Sequence, residues 1–181
     1  MSDVYILELE GLTRHLPIVA VSDKLKIASF VILGDTELVC RAAEALVKKL
    51  PEVDYLITAE AKGIPLIFEM SRLLGMPKYF VARKSVKAYM ENPLESTVKS
   101  ITTHGRQHLY LDERDAQELK GKRIAIIDDV ISTGQSLEAV ENLVVKAGGV
   151  VTARAAILAE GDAASRTDII FLGELPLFPQ P

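Results

Sequence analysis

The amino-acid sequence predicts an α/β fold with a mostly parallel, twisted sheet and helices on both of its faces. Two patterns indicate this fold. Short β-branched apolar runs alternate with longer runs at helical spacing, and polar loops follow several of the short runs. The clearest short run is Ile124–Ile127, which has the composition of a strand buried on both faces. The chain has 181 residues, 49% of them apolar, which suits one domain over residues 1–181 and is too short for two large ones.

The N-terminal region is expected to supply a small hood and the first elements of the sheet. Strand-like runs at Val4–Leu9 and Ile27–Leu33 predict an antiparallel flap, and we expect residues 1–33 and about 160–181 to form the hood. Next come a helix opened by Gly34-Asp35 and ended by Pro51, a strand at Asp54–Thr58, a helix at Ile64–Leu74 and a strand at Lys78–Arg83.

The second half continues the alternation after one irregular segment. Residues 84–107 are charged and lack core periodicity, and a loop of this length in a compact domain is usually either functional or disordered. We expect a mobile lid there, with a disordered linker as the alternative. The elements predicted after it are a strand at His108–Leu111, a polar link through Gly121, the strand Ile124–Ile127, a helix to Ala147, and strands at Val150–Leu158 and Asp168–Leu172.

Two adjacent acids, Asp128 and Asp129, follow the strand Ile124–Ile127 directly. Consecutive strand residues point to opposite faces, so both carboxylates reach solvent only if the strand has ended before them. Neighbouring carboxylates repel each other and are costly to desolvate, unless ligand hydroxyls or a cation offset their charge. The pair therefore suggests a polyol or a metal ligand.

A small, hydroxyl-rich loop comes next and leads into a helical pattern. Its members are Ser132, Thr133, Gly134, Gln135 and Ser136. Small residues allow backbone N–H groups to close around an anion, and the helix N-terminus and the hydroxyl groups add further donors. Acids followed by this loop are typical of a sugar-phosphate site. The competing interpretation is an ordinary strand-turn-helix with a hydroxyl N-cap and solvated acids.

With two further matches, the chain resembles the type I phosphoribosyltransferases. The loop Glu60-Ala61-Lys62-Gly63 follows an earlier strand, and Arg83-Lys84 ends the next one, as in purine-type members of that family. The resemblance covers roughly residues 35–160. It implies transfer of a 5-phosphoribosyl group from Mg²⁺-bound phosphoribosyl pyrophosphate (PRPP) to a purine base, with release of pyrophosphate and with Mg²⁺ as the cofactor.

The resemblance also implies a role for each matching segment. Asp128 and Asp129 would contact the ribose hydroxyls, one of them binding Mg²⁺ directly or through water, and the loop 132–136 would hold the 5′-phosphate. The second loop would bind pyrophosphate through backbone N–H groups; its members are Glu60, Ala61, Lys62 and Gly63. Family members often have a non-prolyl cis peptide there. Arg83 and Lys84 would neutralise pyrophosphate, across a dimer interface in some relatives.

The receiving base is open at the level of sequence. Adenine is favoured by the overall resemblance, but Thr103-His104-Gly105 replaces the Glu-Tyr-Gly of many adenine-type lids, and Ser100-Ile101-Thr102 and Gln135 look closer to xanthine-type enzymes. A 6-oxopurine (hypoxanthine, guanine or xanthine) is therefore the alternative. His104 is a candidate proton donor or acceptor, although a histidine in a polar loop is usually just exposed. Glu160 is a candidate partner for a purine N–H, with a surface turn at Glu160-Gly161-Asp162 as an equally good interpretation.

Composition limits the other classes of function. The formal net charge of −4 gives no reason to expect nucleic-acid binding, and no apolar stretch is long enough to span a membrane. Cys40 is the only cysteine, so no intrachain disulfide framework is expected. We expect a cytoplasmic protein, homodimeric as in the family. A PRPP-binding regulator without catalytic activity, or transfer to orotate, are the remaining alternatives.

Overall fold

The computed structural model describes residues 3–99 and 106–180. Its strands are β1 Val4–Leu9, β2 Leu12–Ser22, β3 Leu25–Ala28, β4 Tyr55–Ala59, β5 Phe80–Ala82, β6 Leu94–Lys99, β7 Arg106–Leu111, β8 Arg123–Ile131, β9 Val150–Glu160, β10 Gly173–Leu175 and β11 Leu177–Pro179. Its helices are α1 Thr36–Val47, α2 Ile64–Leu73, α3 Glu113–Leu119 and α4 Gln135–Lys146, with a short 3₁₀ helix at Gly161–Ser165.

The central sheet has five strands in the order β10-β9-β8-β4-β5, and every neighbouring pair is parallel. Strand β8 shows how the sheet separates two cores. Ala125 and Ile127 face one hydrophobic cluster, with α1, α2 and the inner side of the hood, while Ile124 and Ile126 face the other, with α3 and α4. Both faces of the sheet are therefore covered, which confirms the predicted fold class.

The hood is a four-stranded antiparallel sheet in the order β1-β2-β3-β11, which confirms the expected flap. Strand β2 was not expected. It pairs with β1 across a two-residue turn at Glu10 and Gly11, both with positive φ, and only Leu16 among its residues is buried. The strand predicted at Ile27–Leu33 is wrong in its extent, because β3 ends at Ala28.

Two other elements differ from the expectation. The strand predicted at Asp168–Leu172 is wrong: Ile170 makes a single bridge to Ala155, and β10 begins only at Gly173. The segment expected to be a polar link contains helix α3, because Ala116 and Leu119 bury their side chains in the second core. The spacing of two apolar residues was too sparse to reveal that short helix.

The segment 84–107, expected to be an irregular loop, contains strand β6 and the first residues of β7. The two strands form an antiparallel ribbon in which Leu94 lies opposite Leu111. Leu109 and Leu111 are fully buried, and Lys146 Nζ on α4 donates to the backbone oxygen of Glu95 at 2.6 Å. The base of the ribbon is thus anchored to α4. Across the described ranges, no helix is long and apolar enough to cross a membrane.

Candidate active site

The Asp128–Asp129 pair lies within strand β8, not beyond its end. Because β8 continues to Ile131, the two side chains point in different directions, as strand geometry requires. Asp128 is half-buried and Asp129 is only 6% exposed. The backbone N–H of Asp129 donates to Oδ1 of Asp128 at 2.9 Å, whereas Oδ2 of Asp129 is buried and has no hydrogen-bond partner within the described residues. A buried carboxylate oxygen without a partner costs stability, so a ligand or water that donates to it would stabilise the site.

Burial and the neighbouring charge of Asp129 raise the pKa of Asp128 to about 8, and the charge of Lys62 partly opposes that shift. The protein alone therefore does not stabilise two adjacent negative charges. Ribose hydroxyl groups donating to these oxygens, or a cation bound by them, would do so. The donor set fits Mg²⁺, which prefers carboxylate oxygens and takes its other ligands from phosphate and water. Among the residues that the structure describes, no cluster of three or more potential metal ligands exists.

The hydroxyl-rich loop connects β8 to α4. Gly134 has a φ of 80°, in the left-handed region that favours glycine, and helix α4 begins at the next residue, Gln135. The loop encloses a cavity of about 130 Å³ lined by Asp128 and residues 130–137. Nε2 of Gln135 is buried without a hydrogen-bond partner in the described part of the chain. Backbone N–H groups, hydroxyl groups and a helix N-terminus in one small cavity suit a phosphate group.

The second loop, residues 60–63, lies between β4 and α2, and its Glu60–Ala61 peptide bond is cis. The expected non-prolyl cis peptide is confirmed. Gly63 packs closely over the sheet: a Cβ atom at this position would lie 2.1 Å from Thr58 Oγ1 and 3.5 Å from the backbone oxygen of Ile127. Only glycine allows the loop to approach β4 and β8 this closely.

The 60–63 loop, the carboxylate pair and Ser136 of the other loop line a second cavity of about 180 Å³, which adjoins the first at Asp128, Val130 and Ser136. Its lining residues are Ala59, Glu60, Ala61, Lys62, Lys84, Asp128, Asp129, Val130 and Ser136. The cavity lies at the carboxyl ends of β4 and β8, where parallel sheets collect their ligands. Lys62 and Lys84 both line it, so two cations and three carboxylates, those of Glu60, Asp128 and Asp129, line the same space. Such a space suits a ligand that carries both phosphate and hydroxyl groups.

Arg83 and Lys84, which were predicted to act together, make different contacts in the structure. Oε2 of Glu60 accepts the backbone N–H of Lys84 at 2.9 Å, and Oε1 of Glu60 pairs with Arg83 at 3.2 Å. These hydrogen bonds, the backbone one first, lower the pKa of Glu60. Arg83 also donates to the Tyr89 hydroxyl at 2.8 Å. Arg83 thus joins Glu60 to the segment after β5, whereas Lys84 lines the cavity.

The two residues considered for the base are not placed with the others. Glu160 is the last residue of β9, is half-buried, and does not line either cavity. His104 lies outside the described residues. Sequence reasoning assigned no function to Thr58, which is fully buried beneath Gly63, or to Val130, which lines both cavities. A threonine at the end of an apolar strand, just before a loop with an acid and a glycine, was the available signal for Thr58.

A parallel sheet with helices on both faces, an antiparallel hood, and two small loops around a carboxylate pair define the type I phosphoribosyltransferase class of fold. A family model described as the phosphoribosyl transferase domain matches residues 33–170, and the chain belongs to this family. The match includes both loops, the carboxylate pair and Arg83–Lys84, and all four strands of the hood lie outside it.

Similar proteins fall into two groups. A hypoxanthine/guanine phosphoribosyltransferase of Methanotorris igneus is 30% identical over 75% of this chain and 71% of its own length. A protein of the same name from Methanocella paludicola is 38% identical over 61% of this chain and 54% of its own length, so the match spans about half of that relative. The crystal structure of adenine phosphoribosyltransferase from Thermoanaerobacter pseudethanolicus has a TM-score of 0.67 and 25% identity, covering 79% of this chain and 84% of that one.

Proposed function

We propose that the protein is a purine phosphoribosyltransferase, which transfers the 5-phosphoribosyl group of Mg²⁺-PRPP to a ring nitrogen of a purine and releases pyrophosphate. The observation that carries this proposal is the pair of adjoining cavities, one at each loop, which share Asp128, Val130 and Ser136. PRPP carries a 5′-phosphate, two ribose hydroxyls and a pyrophosphate. The two cavities together offer a matching group for each of them.

The residues have separate tasks in this proposal. The loop 132–136 binds the 5′-phosphate, with α4 directing its N-terminus at it. Asp128 and Asp129 accept hydrogen bonds from the ribose hydroxyls, and Asp129 Oδ2 thereby gains the partner that no described residue gives it. The loop 60–63 and Lys84 face the pyrophosphate. Arg83 does so indirectly, because its ion pair with Glu60 holds that loop in position.

The chemistry depends on charge. As the bond to pyrophosphate breaks, positive charge develops on the ribose and negative charge on the leaving oxygens. The carboxylate pair stabilises the first charge, and Lys62, Lys84 and backbone N–H groups stabilise the second. Asp128 and Asp129 are the residues that would hold Mg²⁺, which, when bound, neutralises phosphate charge and orients the diphosphate. In this proposal the β6–β7 ribbon acts as a lid that excludes water.

Two classes of base are supported by different observations. Adenine is favoured by the Glu60–Gly63 and Arg83–Lys84 segments together with the likeness to the Thermoanaerobacter adenine enzyme. A 6-oxopurine is favoured by the names of the sequence relatives from Methanotorris and Methanocella. Glu160 and His104 stay predictions as base-side residues.

The test is nucleotide formation from Mg²⁺-PRPP with adenine, hypoxanthine, guanine, xanthine and orotate offered separately. Each product is quantified by chromatography against a reaction without protein. Transfer to one or more purines, with no transfer to orotate, is the expected result. Transfer to orotate alone would contradict the purine assignment. Binding of Mg²⁺-PRPP in calorimetry without turnover on any base would instead favour the alternative of a PRPP-binding regulator.

A further inference from the structure

An arginine that follows β9 lies against the 5′-phosphate loop. The 3₁₀ helix Gly161–Ser165 links β9 to Arg166 and is anchored by Ala163, which is 2% exposed in the second core. The backbone N–H of Arg166 donates to the backbone oxygen of Ala163 at 3.1 Å. The core therefore fixes the backbone from which the Arg166 side chain extends.

The guanidinium group of Arg166 is held on one side only. Its Nε and Nη2 donate to the two carboxylate oxygens of Asp168 at 2.9 and 2.7 Å. This two-point geometry orients the planar group. Its third nitrogen, Nη1, has no hydrogen-bond partner in the described ranges and lies beside Gly134: a Cβ atom on Gly134 would be 2.8 Å from it. A fixed cation thus presents a free donor to the middle of the loop.

A second donor next to Gly134 is also without a partner. Nε2 of Gln135 is buried at the start of α4 and makes no hydrogen bond to any described residue. Buried donors are normally satisfied, so this one points to an acceptor that the protein itself does not supply. Nη1 of the partly exposed Arg166 is the other donor at this loop. A phosphate oxygen could accept from both donors.

We propose that Arg166 is part of the 5′-phosphate site and increases its affinity for phosphate, together with Gln135 on the other side of Gly134. This inference rests on the proposed function, because it takes the loop 132–136 to bind phosphate. Asp168 orients the guanidinium and balances its formal charge, and Nη1 remains as a donor beside Gly134, next to the N-terminus of α4.

The experiment measures binding, so it does not depend on turnover. Calorimetry gives the Kd of ribose 5-phosphate and, separately, of Mg²⁺-pyrophosphate for the wild type, Arg166→Met and Arg166→Lys. Methionine keeps the unbranched side chain without the charge, while lysine keeps the charge. Arg166→Met is expected to weaken ribose 5-phosphate binding about tenfold, as for a lost charge-assisted contact, and Arg166→Lys by at most about threefold. Pyrophosphate binding should stay unchanged in both.

A matched control is Arg123→Met. Arg123 also forms a two-point pair with a carboxylate, Asp54, but lies at the opposite end of β8. It should leave both dissociation constants unchanged. Arg166→Gln is a second uncharged variant, so the comparison with lysine stands if either uncharged protein folds, as checked by circular dichroism.

Three results would overturn the proposal. One is ribose 5-phosphate affinity in the uncharged variants equal to that of the wild type. Another is an equal loss in the lysine and the uncharged variants, which would make Arg166 a packing residue. The third is a wild type that binds neither ribose 5-phosphate nor PRPP, which would remove the proposed function as well. The first two leave the proposed function intact.

Discussion

Charged residues at the two ends of strand β8 are in opposite environments. At its amino end, Arg123 is matched: its backbone N–H donates to Asp54 Oδ2 at 2.7 Å, and its Nη2 and Nη1 pair with Asp54 and Glu52 at 2.9 and 3.0 Å. At its carboxyl end, Asp128 and Asp129 adjoin each other with no cation paired to them, and one oxygen of Asp129 has no partner among the described residues. The charged groups at the amino end of β8 are therefore paired, and we call it the satisfied end; those at the carboxyl end lack partners, and we call it the unsatisfied end.

The pKa values follow this difference. Hydrogen bonds from Arg123 lower the pKa of Asp54 to about 2, whereas burial and the charge of Asp129 raise that of Asp128 to about 8. The charged form of Asp54 is stabilised by the fold, and the charged form of Asp128 is destabilised. Such destabilised carboxylates are found where a ligand supplies the missing interactions. The comparison therefore identifies one end of the sheet as scaffold and the other as site.

The largest effect is expected from replacing both acids. The variant Asp128→Asn with Asp129→Asn keeps the shape of the site and removes its negative charge. We expect kcat/KM for PRPP to fall by on the order of 10² to 10³, as when a preorganised electrostatic group is lost. The Tm should rise in Mg²⁺-free buffer at pH 7, because the raised pKa of Asp128 costs folding free energy at that pH and an amide has no such cost. Initial rates and thermal unfolding measure both quantities.

The paired control is Asp54→Asn, which removes one carboxylate from the satisfied end of β8. It should lower the Tm and leave kcat/KM unchanged. If the two variants changed activity and stability in the same direction, the distinction between scaffold and site would be wrong.

The second effect tests the close packing of the 60–63 loop. Gly63→Ala would place a methyl group 2.1 Å from Thr58 Oγ1, so the loop must move away from β4. The φ of Gly63 is −71°, which alanine adopts freely, so the effect is purely steric. We expect a loss of about 1–3 kcal/mol in the free energy of unfolding, typical of overpacking, together with a higher KM for PRPP.

Denaturant unfolding and initial rates measure the two quantities for Gly63→Ala. The second change Thr58→Ala removes the clashing oxygen and should restore part of both losses; Thr58→Ala alone is the reference. No recovery in the double variant would show that Gly63 is needed for a reason other than this contact.

Much of the fold follows from local patterns in the sequence, and the parts that do not follow depend on distant contacts. The run Ile124–Ile127 predicted a doubly buried strand, and Gly34-Asp35 predicted a helix start, where Asp35 Oδ1 indeed accepts the Leu38 N–H at 3.1 Å. The strand predicted at His108–Leu111 is confirmed as most of β7. Strands β2 and β6 were missed, because few of their side chains face a core and their pairing partners supply the order.

The candidate site divides in the same way. The loops 60–63 and 132–136 were predicted because each is a continuous stretch of sequence, so its residue composition is visible directly. The pairing of Arg83 with Glu60 spans two strands, and the approach of Arg166 to Gly134 spans a helix and a strand. Neither contact leaves a signal in sequence spacing. The expectation that β8 ends before Asp128 was wrong, because the pairing with β9 extends as far as Ile131 opposite Ala159.

A third, smaller effect is expected at the boundary between scaffold and site. Glu60→Gln removes the charge that holds Arg83 and the backbone of Lys84 beside the 60–63 loop. We expect a rise of about tenfold in the KM for PRPP with a small change in kcat, because a charge-assisted contact that positions the loop is lost. Steady-state kinetics at varied PRPP give this result.

Glu69→Gln is the matched control for Glu60→Gln. Glu69 also pairs with an arginine, Arg72 on the same helix, at 2.7 Å, but it lines neither of the two cavities. Its KM should equal that of the wild type. Equal KM values for all three proteins would show that Glu60 does not position the loop.

The smallest expected effect is the pH dependence of the stability that the Asp54–Arg123 pair gives to the fold. Asp54 has a pKa of about 2 in the fold, below its ordinary value of 3.8, so its pair with Arg123 stabilises the fold fully above about pH 4. As the pH falls from 3.8 towards 2, the unfolded chain binds this proton first, and the stabilisation is lost. Asp54→Asn should therefore lower the Tm by a few degrees, about 1–4 °C, at pH 7, as for a partly exposed ion pair, and the difference should shrink to near zero at pH 2. Thermal unfolding of the wild type and Asp54→Asn from pH 2 to pH 7 measures this difference in Tm. A difference that does not depend on pH would mean that Asp54 stabilises the fold through contacts that do not need its charge.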